Sequence, residues 1–255
     1  MVKISVAIIT LNEERNIGRC LESVKEIADD IVVVDSFSTD RTEEICMKYG
    51  ARFFPRKWEG FVDTKNISSE LALFDYVLSL DADEALSEEL INSIKKVKEN
   101  FSADGYTMNR MTNYCGKWIR HSGWYPDRKL RLYDRRKGQF EGLIIHEEIK
   151  MKPGSKVEHL LGNILHYSFY TIDEHRKQSE KFTTLGAEAD FRKGKKAPVY
   201  KILFAPAVKF IQSYFFKLGF LDGKEGFTIS KLSAAATFHK YSKLKKLYQQ
   251  PDENT

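Results

Sequence analysis

Ile4–Ile9 is rich in β-branched residues and lacks polar alternation, the pattern of a strand buried on both faces. Ile31–Val34 and Tyr76–Leu80 repeat it, and Ala51–Phe54 gives a shorter strand stopped by Pro55. Between these runs the apolar positions change to helical spacing. Ile17, Cys20/Leu21 and Val24 share one face, with Asn12 as the expected cap. Ser38, Thr39 and Asp40 are read as opening a helix to about Tyr49, and further helices are expected at about Thr64–Leu73 and Ser87–Glu99. Alternation of this kind predicts right-handed βαβ units and a parallel sheet with helices on both faces.

From Gly105 the pattern turns aromatic and arginine-rich, with strands expected at Tyr106–Asn109, Lys129–Tyr133 and Gly142–Ile145. Ile172 to about Arg192 reads as one long helix. After Lys193-Gly-Lys-Lys196 the chain becomes apolar, aromatic and basic, which places a boundary between a domain at 1–193 and a helical region at 194–255.

Composition fits a globule with a sizeable core: 42% hydrophobic and 30% charged over 255 residues. The net charge of +5 is uneven. Arg192–Leu247 carries 13 Lys and Arg against 2 Asp and Glu, a balance of +11, so the remainder carries −6. A basic end of this kind wants an anionic partner. The N-terminus turns polar with no apolar run ending in small residues, so no secretory leader is expected. Cys20, Cys46 and Cys115 are an odd, widely spaced set, which predicts a reducing compartment and no zinc site.

Ligands of open parallel sheets sit at the carboxyl ends of strands. Three successive strand ends here carry acids or small polar groups: Thr10-Leu-Asn-Glu-Glu14, Asp35-Ser-Phe-Ser-Thr-Asp40 and Asp81-Ala-Asp-Glu84. An Asp-x-Asp pair by itself is expected about once by chance in a chain this rich in Asp. Its position directly after a buried strand gives it meaning, because two hard oxygen donors there suit Mg²⁺ or Mn²⁺ completed by a diphosphate.

Together with Ser5–Thr10, Ile31–Val34 and Leu80, these loops closely resemble the inverting family 2 glycosyltransferases, whose α/β fold is the GT-A nucleotide-sugar-binding fold. Trp58-Glu-Gly-Phe61, Lys65-Asn66, His121-Ser-Gly-Trp-Tyr-Pro126, Arg131-Leu-Tyr133, His146-Glu147 and Phe220-Leu-Asp-Gly-Lys-Glu-Gly-Phe227 are similar to the bacterial lipopolysaccharide-core glucosyltransferases. Phe37 stands where many relatives have Gly.

The resemblance implies a donor site of Thr10, Asn12, Glu14, Asp35, Lys65 and Asp81, a metal site of Asp83 and Asp81 with His146 as a third candidate, and Mg²⁺ or Mn²⁺ as cofactor. It implies a carboxylate base after the metal motif; Glu147 is the positional match and Glu148 the runner-up, since neighbouring strand residues face opposite ways. His121, Trp124 and Tyr125 are expected as an acceptor shelf or as packed core. Arg128 and Arg131 are expected either on a phosphate or paired with Asp134 or Asp127 on the surface. UDP-glucose and an inner-core lipopolysaccharide acceptor are the implied substrates.

Residues 198–221 are very apolar, yet Lys201, Lys209 and Lys217 interrupt them and Pro206 would kink a helix. That describes a helix lying in a membrane interface better than one crossing it, with a core cover as the plain alternative. The expected location is cytoplasmic, peripheral on the inner face of the cytoplasmic membrane. Nucleic acid is not expected as a partner, for no recognised binding motif accompanies the basic end. A dehydrogenase would need a glycine-rich turn where Thr10-Leu-Asn-Glu stands.

Overall fold

The computed structural model describes residues 1–143 and 146–249, with Leu143 and His146 described for their backbone alone. The chain forms two compact units: Met1–Met111 with Pro126–Tyr167, and Thr112–Tyr125 with Ser168–Thr255.

The first unit opens with β1 (Ile4–Thr10), buried at all seven positions. Helix α1 (Ile17–Val24) follows and buries Ile17, Cys20, Leu21 and Val24, the face its spacing predicts. Next come β2 (Asp30–Asp35), α2 (Thr42–Lys48), β3 (Arg52–Pro55), α3 (Phe61–Glu70) and β4 (Tyr76–Asp81). β5 (Glu84–Leu86) is a short return strand, and α4 (Glu88–Glu99) starts at Ser87, whose side chain accepts the Leu90 N–H.

β1 pairs parallel with β2 and β4, and β2 with β3, so the predicted parallel core is present in the order β3-β2-β1-β4. Ile4, Ile8, Leu78 and Leu80 are fully buried within it. Each such side chain contributes about 1.5–3 kcal/mol of transfer free energy. The sheet continues through β6 (Gly105–Tyr114), the two-residue β7 (Lys117–Trp118), β8 (Asp127–Asp134) and β11 (Val157–Phe169), while β9 (Gly138–Leu143) and β10 (His146–Met151) form a separate antiparallel ribbon. β8 pairs antiparallel with both β4 and β6. The strand expected at Gly142–Ile145 ends at Leu143 as β9, and Ile144 and Ile145 lie outside the described residues.

Two expectations at helix starts fail for a common reason. Asn12 does not cap α1, which begins at Ile17. Its backbone is left-handed (φ 54°), and its side-chain oxygen accepts the Thr39 N–H at 2.8 Å. Nor does α2 open at Ser38–Asp40. Asp40 instead accepts from the Glu14 and Thr42 N–H groups, each at 3.0 Å. Asn12 is spent joining the two loops, and Asp40 divides itself between the first loop and Thr42, where α2 begins two residues later than expected. Phe37 takes φ 63°, the left-handed backbone a glycine would supply, so the turn keeps its shape at some strain.

The second unit is built around α5 (Ile172–Arg192), α6 (Val199–Ile211) and α7 (Gly223–Leu247). Helix α5 has the predicted bounds and opens with a capping box between Thr171 and Glu174. Helix α6 contains Pro206 and runs into a π-helical turn, Gln212–Phe216. Among the described residues no helix is long and apolar enough to cross a membrane.

Tyr114, Ile119, Phe169 and Ile229 form a buried cluster here, with Trp124 packed against it and His175 hydrogen-bonded to the Tyr114 hydroxyl at 3.1 Å. Burial pushes the His175 imidazole down from 6.5 to about 4. The unfolded chain therefore takes up a proton that the folded unit refuses, and stability present above pH 6.5 should fall as the pH drops towards 4. Thermal midpoints followed by tryptophan fluorescence should show this decline, and His175→Phe should flatten it. Equal slopes in both proteins would assign the decline to other groups.

Candidate active site

The first two strand-end loops are locked together. The Asp35 carboxylate is buried and accepts from the Ser38 N–H and hydroxyl, while Ser38 Oγ accepts the Asn12 N–H at 2.7 Å. Glu14 accepts the Arg41 N–H at 3.1 Å. Thr10 Oγ1 is buried with no hydrogen-bond partner among the described residues. Glu13 is driven up to about 7 by burial, with the Asp83 and Asp40 carboxylates adding to that against a hydrogen bond from Asn16.

The third loop joins β4 to β5, and here the charges gather. Lys65 comes from α3 and is only 1% exposed. Its Nζ lies 2.9 Å from Asp81 Oδ1 and 3.0 Å from Glu147 Oε1, so one ammonium bridges a strand end and the β9–β10 ribbon. Asn66, the next residue, fixes that ribbon through both backbone groups of Phe140, at 2.8 Å and 3.0 Å.

Arg131 is also buried. Its guanidinium lies 3.3 Å from Asp81 and 3.2 Å from Glu84. The surface pairing with Asp134 or Asp127 is therefore ruled out: Asp134 is held by Arg136, and Asp127 by Arg110 and Lys129. Burial opposes the charge on Asp81, but Lys65 and Arg131 outweigh it and hold the carboxyl well below the usual range. The same carboxylates, Glu84 foremost, raise the Arg131 guanidinium against its own burial.

Asp83 faces a partner the sequence reading did not find. His166 on β11 places its Nε2 3.1 Å from Asp83 Oδ2, because β11 pairs with β5 in a register that sets His166 opposite Glu84. Burial pushes the imidazole down and Asp83 pushes it up, with a net rise. Arg110, also unforeseen, lies 3.4 Å from Glu84 and 2.8 Å from Asp127.

Beside this cluster lies a cavity of about 320 Å³ walled by Arg110, Arg128, Arg131, Phe140, Glu147 and Glu148 among others. The Glu147 side chain is 20% exposed, whereas that of Glu148 is 66% exposed and pairs with Lys150 at 3.4 Å. Among the described residues no three His, Cys, Asp or Glu side chains form a ready metal cage. The His146 side chain lies outside the described residues. A cation held by one or two carboxylates and a diphosphate needs no such cage, and the part-exposed Asp81 and Asp83 are hard donors of that kind. His121, Trp124 and Tyr125 belong to the second unit: Trp124 packs edge-on against Tyr114, and His121 pairs with Asp222.

The sequence pattern of glycosyl transferase family 2 matches residues 5–154. An uncharacterized glycosyltransferase of Rickettsia typhi is 30% identical over 97% of this chain and 88% of its own. The lipopolysaccharide core biosynthesis glycosyltransferase LpsC of Rhizobium meliloti is 29% identical over 94% of this chain and 93% of its own. Among solved structures, S. aureus TarS residues 1–349 in complex with UDP shares 16% identity over 100% of this chain and 93% of that one, with a TM-score of 0.48. A parallel β3-β2-β1-β4 core with polar strand-end loops, extended by antiparallel strands, is the α/β GT-A architecture of a nucleotide-sugar transferase. This chain belongs to glycosyl transferase family 2.

Proposed function

We propose that the protein is an inverting, divalent-metal-dependent hexosyltransferase that moves glucose from UDP-glucose onto a lipopolysaccharide-core or other glycolipid acceptor. The observation that carries the reading is the Lys65 bridge, which gathers an acid from the third strand end and an acid from the β9–β10 ribbon at one ammonium.

In this reading Thr10, Asn12, Glu14 and Asp35 hold the nucleoside, and Lys65 with Asp81 faces the diphosphate. Asp83, with Asp81 beside it, would hold Mg²⁺ or Mn²⁺, His146 being the third candidate. The chemistry supplied by the bound ion is neutralisation of charge on the leaving diphosphate. Lys65 places further positive charge on the same side. Glu147 takes the proton of the acceptor hydroxyl as it attacks the anomeric carbon opposite the leaving group. Arg128 and Arg131 line the acceptor side of the cavity. Calorimetry with UDP should show binding that strengthens with Mn²⁺ and weakens in Asp83→Ala; equal affinity with and without metal in both proteins would contradict the metal role.

The same proposal places the protein on the cytoplasmic face of an anionic membrane. Tyr200, Leu203, Phe204, Val208, Phe215 and Phe216 are each more than half exposed along α6 and the π turn, within the stretch of balance +11. Aromatic bulk inserting between headgroups while Lys side chains attract anionic lipid fits this pattern. Vesicles of phosphatidylglycerol should sediment the protein and vesicles of phosphatidylcholine much less so. Phe204→Ser with Phe216→Ser should weaken that binding by at least about tenfold, given about 1.5–3 kcal/mol per buried aromatic. Indifference to both kinds of vesicle would make α6 a cover for the unit's own core.

A further inference from the structure

Phe220-Leu-Asp-Gly-Lys-Glu-Gly-Phe227 has no part in the chemistry above, yet the second unit is built closely around it. Asp222 is 3% exposed, and its carboxylate accepts the Arg120 N–H at 3.2 Å, the His121 N–H at 2.9 Å and the His121 ring at 3.0 Å through Nδ1. A carboxylate at Nδ1 fixes both the ring orientation and the tautomer, and turns Nε2 away for another partner.

The backbone around the ring is held in costly conformations. Ser122 and Leu218 are left-handed, at φ 61° and 54°. A Cβ on Gly226 would fall 1.9 Å from the Gly219 carbonyl oxygen, so that crossing admits only glycine. The Ser122 N–H donates to the Lys217 carbonyl at 2.8 Å, which sets the His121 turn beside the Lys217 turn.

Charges here divide into two groups. Lys117 and Lys224 are answered by Glu225, at 3.4 Å and 3.7 Å. Arg120 and Lys217 are exposed and have no ion-pair partner among the described residues, and His121 Nε2 has no hydrogen-bond partner there. Two cations without an ion-pair partner, on two adjoining turns, call for an oxyanion, and phosphate offers several oxygens at once. With its Nδ1–H given to Asp222, His121 offers Nε2 as an acceptor, which suits the P–OH of a monoprotonated phosphate. Phe216, Leu218, Phe220 and Leu221 stand 79%, 44%, 44% and 55% exposed on the same segment, which favours a phosphate presented at a lipid surface.

We propose that His121, Arg120 and Lys217 form a phosphate-binding subsite, with Asp222 as the positioning residue, for the phosphate of a membrane lipid or lipid-anchored molecule. The inference extends the membrane-facing part of the functional reading and does not depend on the role of Glu147.

The test is imidazole ¹⁵N NMR of the full chain, titrated separately with inorganic phosphate and with vesicles of phosphatidic acid or phosphatidylcholine. His121 Nε2 should shift with phosphatidic acid and not with phosphatidylcholine, and a matching shift with inorganic phosphate would show that the subsite accepts the free anion too. Arg120→Ala with Lys217→Ala leaves the Asp222 clamp intact and should weaken the response at least tenfold. Asp222→Asn should also weaken it, with the Nδ1 resonance reporting the lost clamp. UDP calorimetry on the same samples reads the donor site independently, so failure of one reading is not mistaken for failure of the other. No movement of the His121 ring with either form of phosphate, in a protein that still binds UDP, would overturn the subsite and leave the clamp a purely structural device.

Discussion

Replacing Glu147 by Gln should lower sugar transfer by about two to four orders of magnitude while leaving UDP affinity nearly unchanged. The side chain keeps its shape and its reach to Lys65, 3.0 Å away in the native protein, but can no longer take a proton. Glu148→Gln should have little effect, because that side chain is 66% exposed and paired outward with Lys150. Kinetics on the two variants side by side check the assignment. Normal transfer by Glu147→Gln with loss in Glu148→Gln would shift the base by one residue and turn the ribbon over.

The second large effect is expected at Lys65. Lys65→Met removes the cation between Asp81 and Glu147 and leaves two carboxylates facing each other in a site where the lysine is 1% exposed. Removing one member of a buried ion pair costs about 3–5 kcal/mol. A second acid-to-amide change should recover part of the loss, so Lys65→Met with Glu147→Gln should be less destabilised than the single effects added together. UDP affinity should fall in Lys65→Met as well. Thermal melts and UDP calorimetry on the single and double variants measure this; a Lys65→Met protein that melts like the parent would mean that the bridge contributes nothing to the fold.

The sequence made the parallel core legible because strands buried on both faces leave no polar alternation to misread. β1, β2 and β4 lie within a residue of their expected bounds. Long helices with strong ends were equally clear, α5 through its capping box and α4 through Ser87. The errors arose where a polar residue served tertiary structure. Asn12 looks like a cap by local rules yet is bonded to the neighbouring loop, and Asp40 serves both that loop and the first residue of α2.

The charged centre was legible only in part. Helix α3 buries Thr64, Lys65, Ser68 and Ser69, a polar face that no apolar periodicity can announce. Lys65 can be buried because Asp81 and Glu147 arrive from segments 16 and 82 residues away along the chain, and that pairing exists only once the sheet and ribbon have formed. His166 was missed for a related reason. β11 mixes polar and apolar residues, and its register against the three-residue β5 is what brings the ring to Asp83. Arg110 and Arg131 become neighbours of Glu84 through the pairing of β6 with β8, which a single sequence does not display.

The most direct test of the central claim is proton NMR of the protein with Mg²⁺, a heptose-bearing lipid A-core acceptor and a panel of nucleotide sugars in turn. UDP-glucose, whose sugar is α-linked, should be consumed with the appearance of a β-linked product, and Glu147→Gln should slow that conversion by the factor given above. Consumption of none of the donors, or a product that retains the α configuration, would contradict an inverting transferase built on Lys65, Asp81, Asp83 and Glu147.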